Sequence, residues 1–146
     1  MKKLFLPIAV VAMGIFAGCT QKEAAKNEAD NSCKAAIDSI MSTLDKTVET
    51  PAEAIARLKD GNARYVAETA VFPHHDHKRL AETAPHQAPF AAVVACSDSR
   101  VPVELIFDQG IGDIFVIRTA GNNVNNDAVM GSVDYAIEHL GDKTVV

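Results

Sequence analysis

The apolar positions of this chain change period several times along its length, and each change marks an element. Leu4 to Phe16 is almost continuously apolar. From Thr20 to about Glu49 the chain is polar and rich in Ala, Lys, Asn, Glu and Asp, with Ile37, Ile40, Met41 and Leu44 recurring at helical spacing, so that part of it is expected to be helical. Thr50-Pro51-Ala52-Glu53 then has the form of a capping box with proline at the first helical position. Ala54, Ile55, Leu58, Ala63, Tyr65 and Val66 follow on a broadly helical pattern, which Gly61 is expected to break or bend. Phe72 to Ala88 has no periodicity and carries Pro73, Pro85 and His74, His75, His77 and His86, so it reads as a long surface loop.

Beyond Pro89 the runs shorten and become more apolar. Phe90 to Ala95 reads as a buried strand, Pro102 to Phe107 as a short helix opened by proline, and Ile114 to Arg118 as a second, β-branched strand. Asn126-Asp127 caps a helix in which Val129, Val133, Ala136, Ile137 and Leu140 form an apolar stripe ended by Gly141, and Val145-Val146 begins a third strand. Strands apolar throughout, alternating with helices, specify an α/β fold with a parallel central sheet flanked by helices. On this reading the chain stops before the sheet is complete.

Composition fits one globular domain with appended segments: of 146 residues, 48% are hydrophobic and 23% charged. A net charge of -5, with no basic run after residue 3, argues against a nucleic-acid partner and leaves a small molecule as the expected ligand. Lys2-Lys3, the apolar stretch and Ala17-Gly18 form the three regions of an export signal. Phe16-Ala17-Gly18-Cys19 resembles a bacterial lipobox, so Cys19 is expected to carry a lipid anchor that holds an exported, periplasmic protein at a membrane. The domain plan is then a signal peptide over residues 1–18, a polar tether over 19–49 and a folded domain over 50–146. The remaining unassigned thiol, Cys33, reads as a tether residue without a partner.

The candidate chemistry is Cys96-Ser97-Asp98-Ser99-Arg100, set where the first strand gives way to a loop. Asp98 and Arg100 are spaced so that carboxylate and guanidinium can pair beside the thiol. A cysteine phosphatase loop is disfavoured, because position 102 is Pro and the Arg follows the Cys by four residues. A dinucleotide loop at Gly110-Ile111-Gly112 fails as well, since these glycines precede a strand when they should follow one. Metal binding remains, with the sulfur of Cys96 favouring zinc over magnesium or calcium. His74-His75-Asp76-His77 lacks a second ligand pair at structured spacing and reads as a solvated polar loop.

Ala95-Cys96-Ser97-Asp98-Ser99-Arg100-Val101-Pro102, followed by Glu104 to Arg118 and Ala120-Gly121-Asn122, closely resembles the β-class carbonic anhydrases. The helix from Val133 to Gly141 and the segment Leu58 to Tyr65 continue the resemblance, which covers about residues 52 to 146. It implies a Zn2+ enzyme that interconverts carbon dioxide and bicarbonate through zinc-bound hydroxide. By the same resemblance Cys96 matches a zinc ligand, while Asp98 and Arg100 match a catalytic dyad in which Asp98 also binds zinc in a closed form. The family's other ligands, a His-x-x-Cys motif, would follow the strand that starts at Val145, so the chain reads as an inactive fragment of a longer product. His139 has no Cys three residues later and reads as a helix C-terminal residue favoured by the helix dipole. The resemblance also implies a homodimer or higher homo-oligomer. The competing expectation is a non-catalytic exported lipoprotein that keeps the fold as a binding module, which the intact Cys96, Asp98 and Arg100 set disfavours.

Overall fold

The computed structural model describes the chain from Met13 to Val146, with side chains from Lys26 onward. Apart from the backbone of residues 13–18, the expected export signal lies outside the described residues, as does the side chain of Cys19. The chain divides into a unit ending at Thr43 and a compact unit from Leu44 to Val146. Within the first lies α1 (Met13–Leu44) except for its last residue, and its residues from Lys26 to Ser39 are all exposed. Among the described residues no helix is long and apolar enough to cross a membrane.

The compact unit opens with α2 (Pro51–Val66). Its start is a complete capping box, in which Glu53 N donates to Thr50 Oγ1 at 3.2 Å and Thr50 N donates to Glu53 Oε2 at 2.9 Å. The helix does not break at Gly61. Ala54, Leu58 and Gly61 form its buried face, whereas Tyr65 and Val66 are exposed. A Cβ at position 61 would lie 1.8 Å from the carbonyl oxygen of Phe107, so the glycine permits close approach of a backbone.

The long loop expected over Phe72 to Ala88 contains a short helix, α3 (His77–Thr83). Asp76 caps it by accepting from Arg79 N at 2.8 Å, a local bond that a search for apolar periodicity does not register. Nor is His74 a solvated loop residue. Its Nδ1 lies 2.8 Å from both carboxylate oxygens of Asp113, and its Nε2 lies 3.0 Å from Asp45 Oδ1. Asp113 also accepts from Gly110 N at 2.8 Å and from Arg79 Nη2 at 3.1 Å. Nearby, buried Asp108 accepts from Arg64 Nε at 2.6 Å and from the amides of Val71 and Phe72. These buried carboxylates tie the segment after α2 to the turn before the second strand, and each is surrounded by donors as a buried charge must be.

The sheet is built from β1 (Ala91–Cys96) and β2 (Ile114–Thr119), which pair in parallel with Ala91 opposite Ile114 and Cys96 opposite Thr119. The short helix α4 (Val103–Ile106) connects them, with Pro102 at its N-cap. The expected third strand begins on the other side of β1. Ala92 pairs in parallel with Val145, and Val94 N donates to Val146 O at 2.8 Å. β1 therefore lies between two parallel neighbours, which accounts for the burial of Ala91, Ala92, Val93 and Ala95. Of these side chains, Ala91, Val93 and Ala95 join Ala54, Leu58, Phe90, Val103 and Ile114 in one core.

After a turn of 3-10 helix at Ala120–Asn122, Asn126 caps α5 (Asp127–Tyr135), which ends in a π-helical turn at Ala136–Leu140 and a left-handed Gly141. The apolar stripe expected here is only partly buried. Val129 and Ala136 are covered, while Ile137 is half exposed.

Candidate metal centre at the ends of the parallel strands

Because β1 and β2 run parallel in register, both end at one edge of the sheet and the loops that leave them lie side by side. Ser97 N donates to Thr119 O at 2.9 Å, carrying the pairing one residue past Cys96. Cys96 is half-buried, and its Sγ accepts from Asp98 N at 3.4 Å. The amide of Asp98, followed by those of Gly121 and Asn122, holds the thiol below its ordinary value, against the opposing effects of burial and the Asp98 charge. The second loop turns left-handed at Gly121 (φ 73) and Asn122 (φ 51). Glycine and asparagine accept that conformation most readily, and successive amides turned to one side form a nest for an anion.

Asp98 and Arg100 meet in a fork. Oδ1 accepts from Arg100 N at 2.9 Å and from Nε at 3.0 Å, and Oδ2 accepts from Nη2 at 2.8 Å. The Arg100 side chain, then its amide, and to a lesser degree the Arg118 charge, hold the Asp98 carboxyl down at about 2. Asp98 in turn raises Arg100 above its already high value. With the Arg100 side chain 86% exposed, this pair adds little to stability; its effect is to fix where the carboxylate points.

One residue of this cluster is not evident from the motif. Arg118, near the end of β2, donates from Nε to Cys96 O at 3.0 Å and from Nη2 to Asp98 O at 2.6 Å. A signal was present in the sequence, because a charged residue closing an otherwise apolar strand needs a partner at the strand end, but only the parallel register shows which carbonyls it reaches.

The site supplies one soft donor prepared for a metal. A thiolate held among amides suits zinc. Asp98 has both oxygens engaged by Arg100, and among the described residues no three His, Cys, Asp or Glu side chains gather into a metal-binding group. His139 lies with its ring 5.2 Å from that of Tyr135, and His75 lies edge-on to Phe72. Cys33 is exposed on α1. A cleft of about 340 Å3, lined among others by Lys46, Arg57, His74, Arg79, Asp113 and Lys143, does not include Cys96, Asp98 or Arg100.

Residues 91–146 match the family model described as carbonic anhydrase. The chain is 49% identical over 90 residues to the carbonic anhydrase of Mycolicibacterium smegmatis, covering 62% of this chain and 43% of that protein. It is 44% identical over 96 residues to carbonic anhydrase 2 of Mycobacterium tuberculosis, covering 66% and 46%. Over this stretch the chain is similar to carbonic anhydrases. It spans less than half the length of these two relatives. Among solved structures, the Coccomyxa β-carbonic anhydrase in complex with acetazolamide is 32% identical, with a TM-score of 0.45 over 60% of this chain and 39% of that one. The matched stretch, residues 91–146, holds the whole cluster of Cys96, Asp98, Arg100, Arg118, Gly121 and Asn122, and α2 precedes it.

Proposed function

We propose that the protein is a zinc-dependent carbonic anhydrase that interconverts carbon dioxide and bicarbonate. The observation that carries this reading is the Cys96 sulfur, hydrogen-bonded by the Asp98 amide, beside an Asp98 carboxylate that Arg100 grips through three bonds and holds ionised. When bound, zinc supplies a Lewis acid that lowers the pKa of a water toward neutrality. Cys96 would hold it through Sγ. Asp98, a carboxylate at neutral pH, accepts a hydrogen bond from the attacking water and aims its lone pair at the carbon of carbon dioxide. Arg100 grips the Asp98 carboxylate through Nε and Nη2, and the Asp98 amide, by bonding the sulfur, favours its ionised form.

The reading requires two further donors, and a His-x-x-Cys motif following the strand begun by Val145-Val146 would supply them. It also carries the expectations of a homo-oligomer and of an exported protein anchored through Cys19. The pattern of Lys2-Lys3, an apolar stretch and Ala17-Gly18-Cys19 supports the anchor.

The decisive experiment is stopped-flow carbon dioxide hydration together with metal analysis on the product of the complete reading frame. We expect one zinc per chain, and in Asp98→Ala a kcat lower by roughly a hundredfold or more with zinc retained. Absence of zinc, or hydration unaffected by Asp98→Ala, would overturn the assignment. The anchor is tested separately: Cys19→Ser should abolish labelling by a radioactive fatty acid and move the protein out of the membrane fraction.

A further inference from the structure

We infer that Arg118 is a positioning residue, one that fixes the distance between the Cys96 sulfur and the Asp98 carboxylate by clamping the main chain that joins them. This rests on the metal centre proposed above and adds a residue to it. The two carbonyls that Arg118 engages, Cys96 O and Asp98 O, stand on either side of Ser97. The guanidinium therefore spans the turn from outside, touching neither Sγ nor a carboxylate. Three other bonds converge on the same turn: Ser97 N donates to Thr119 O, Asp98 N to Cys96 Sγ, and Val101 N to Asp98 O at 3.0 Å.

Without Arg118, Asp98 O keeps the Val101 amide alone, and Cys96 O loses this donor. The peptide planes around Ser97 then gain rotational freedom, and any rotation moves the Asp98 amide relative to the sulfur it supports. Arginine is suited to this place for a geometric reason. Its planar fork presents Nε and Nη2 to two acceptors at a fixed separation, whereas a lysine ammonium is a single point on a flexible stem. A lysine reaches one carbonyl at a time.

The test uses the complete reading frame with Arg118→Lys and Arg118→Gln, and it has one reading with the metal removed and one with it present. In the metal-free protein, amide hydrogen exchange is followed at Ser97, Asp98 and Val101, with Ala92 and Val94 in β1 as internal reporters of the fold, and alkylation of Cys96 by iodoacetamide is timed. We expect exchange at Asp98 and Val101 to accelerate roughly tenfold in both variants while Ala92 and Val94 keep their protection. Cys96 alkylation should change in the same variants. In the metal-loaded protein, kcat for hydration should fall roughly tenfold with KM little altered.

Unchanged exchange and alkylation in both variants would overturn the inference. So would loss of protection at Ala92 and Val94 together with the turn, which would make Arg118 a residue of the general fold. A change confined to KM would mean that Arg118 contacts substrate directly, and would overturn it as well. If the wild type neither holds zinc nor hydrates carbon dioxide, the functional reading fails, but the metal-free exchange still decides whether the clamp exists.

Discussion

Asp98 and Asp142 show how far surroundings alone can drive one side chain in opposite directions. Asp98 gains three hydrogen bonds from Arg100 and is held ionised to about 2. Asp142 has neither carboxylate oxygen bonded, and burial pushes its pKa up to about 6. A carboxyl whose folded pKa is raised keeps its full share of stability below its unfolded pKa of about 3.9 and loses it as pH rises through the folded value. Asp142→Asn should therefore leave stability nearly unchanged near pH 4 and raise it near pH 7, as read by urea unfolding at both. Equal effects at the two pH values would show that Asp142 finds a partner. Only the first environment was legible in the chain. The Asp98 and Arg100 pairing follows from local spacing, so the motif alone anticipated it. The exposed clamp by Arg118 and the unpaired burial of Asp142 depend on which strand ends meet, and residue type carries no record of that.

At the scale of elements, local chemistry was the reliable guide and apolar periodicity the weaker one. The capping box at Thr50 placed the start of α2, and the β-branched run placed β2, because each depends on neighbours along the chain. Gly61 misled, since a glycine within a helical pattern signals a bend by propensity but a backbone contact by packing. That contact yields a second prediction. Gly61→Ala drives a methyl into the Phe107 carbonyl, where the obstructing atom is backbone and cannot rotate away. The expected cost is about 1–3 kcal/mol or more, despite the better helix propensity of alanine. A denaturation midpoint equal to or above the wild type would mean that α2 and α4 can separate freely. Helix α3 escaped notice for the complementary reason, because seven residues with no buried side chain leave no stripe to detect and only the Asp76 cap marks the start.

For the molecule as a whole, the parallel order brings the ends of β1 and β2, with Cys96 and Arg118, to one end of the sheet, and the sequence pattern was sufficient for the parallel order. The domain boundary is set differently from what composition suggests. Leu44 is 5% exposed and Val48 packs against the core, so the compact unit takes in residues that read as the end of a polar tether. The preceding helix differs in kind: from Lys26 to Ser39 no side chain is buried. Over that stretch the helix has no buried face to hold it, which leaves it open to local unfolding at little cost. Limited proteolysis should therefore cut within residues 26–43 while sparing the sequence from Leu44 onward, as followed by mass spectrometry. The trimmed product should keep a cooperative melting transition, because the core residues Ala54, Leu58, Phe90, Ala91 and Val93 all lie within the compact unit. First cuts within β1 or β2, or a trimmed product that unfolds at once, would mean that the exposed helix supports the core through contacts its accessible surface gives no sign of.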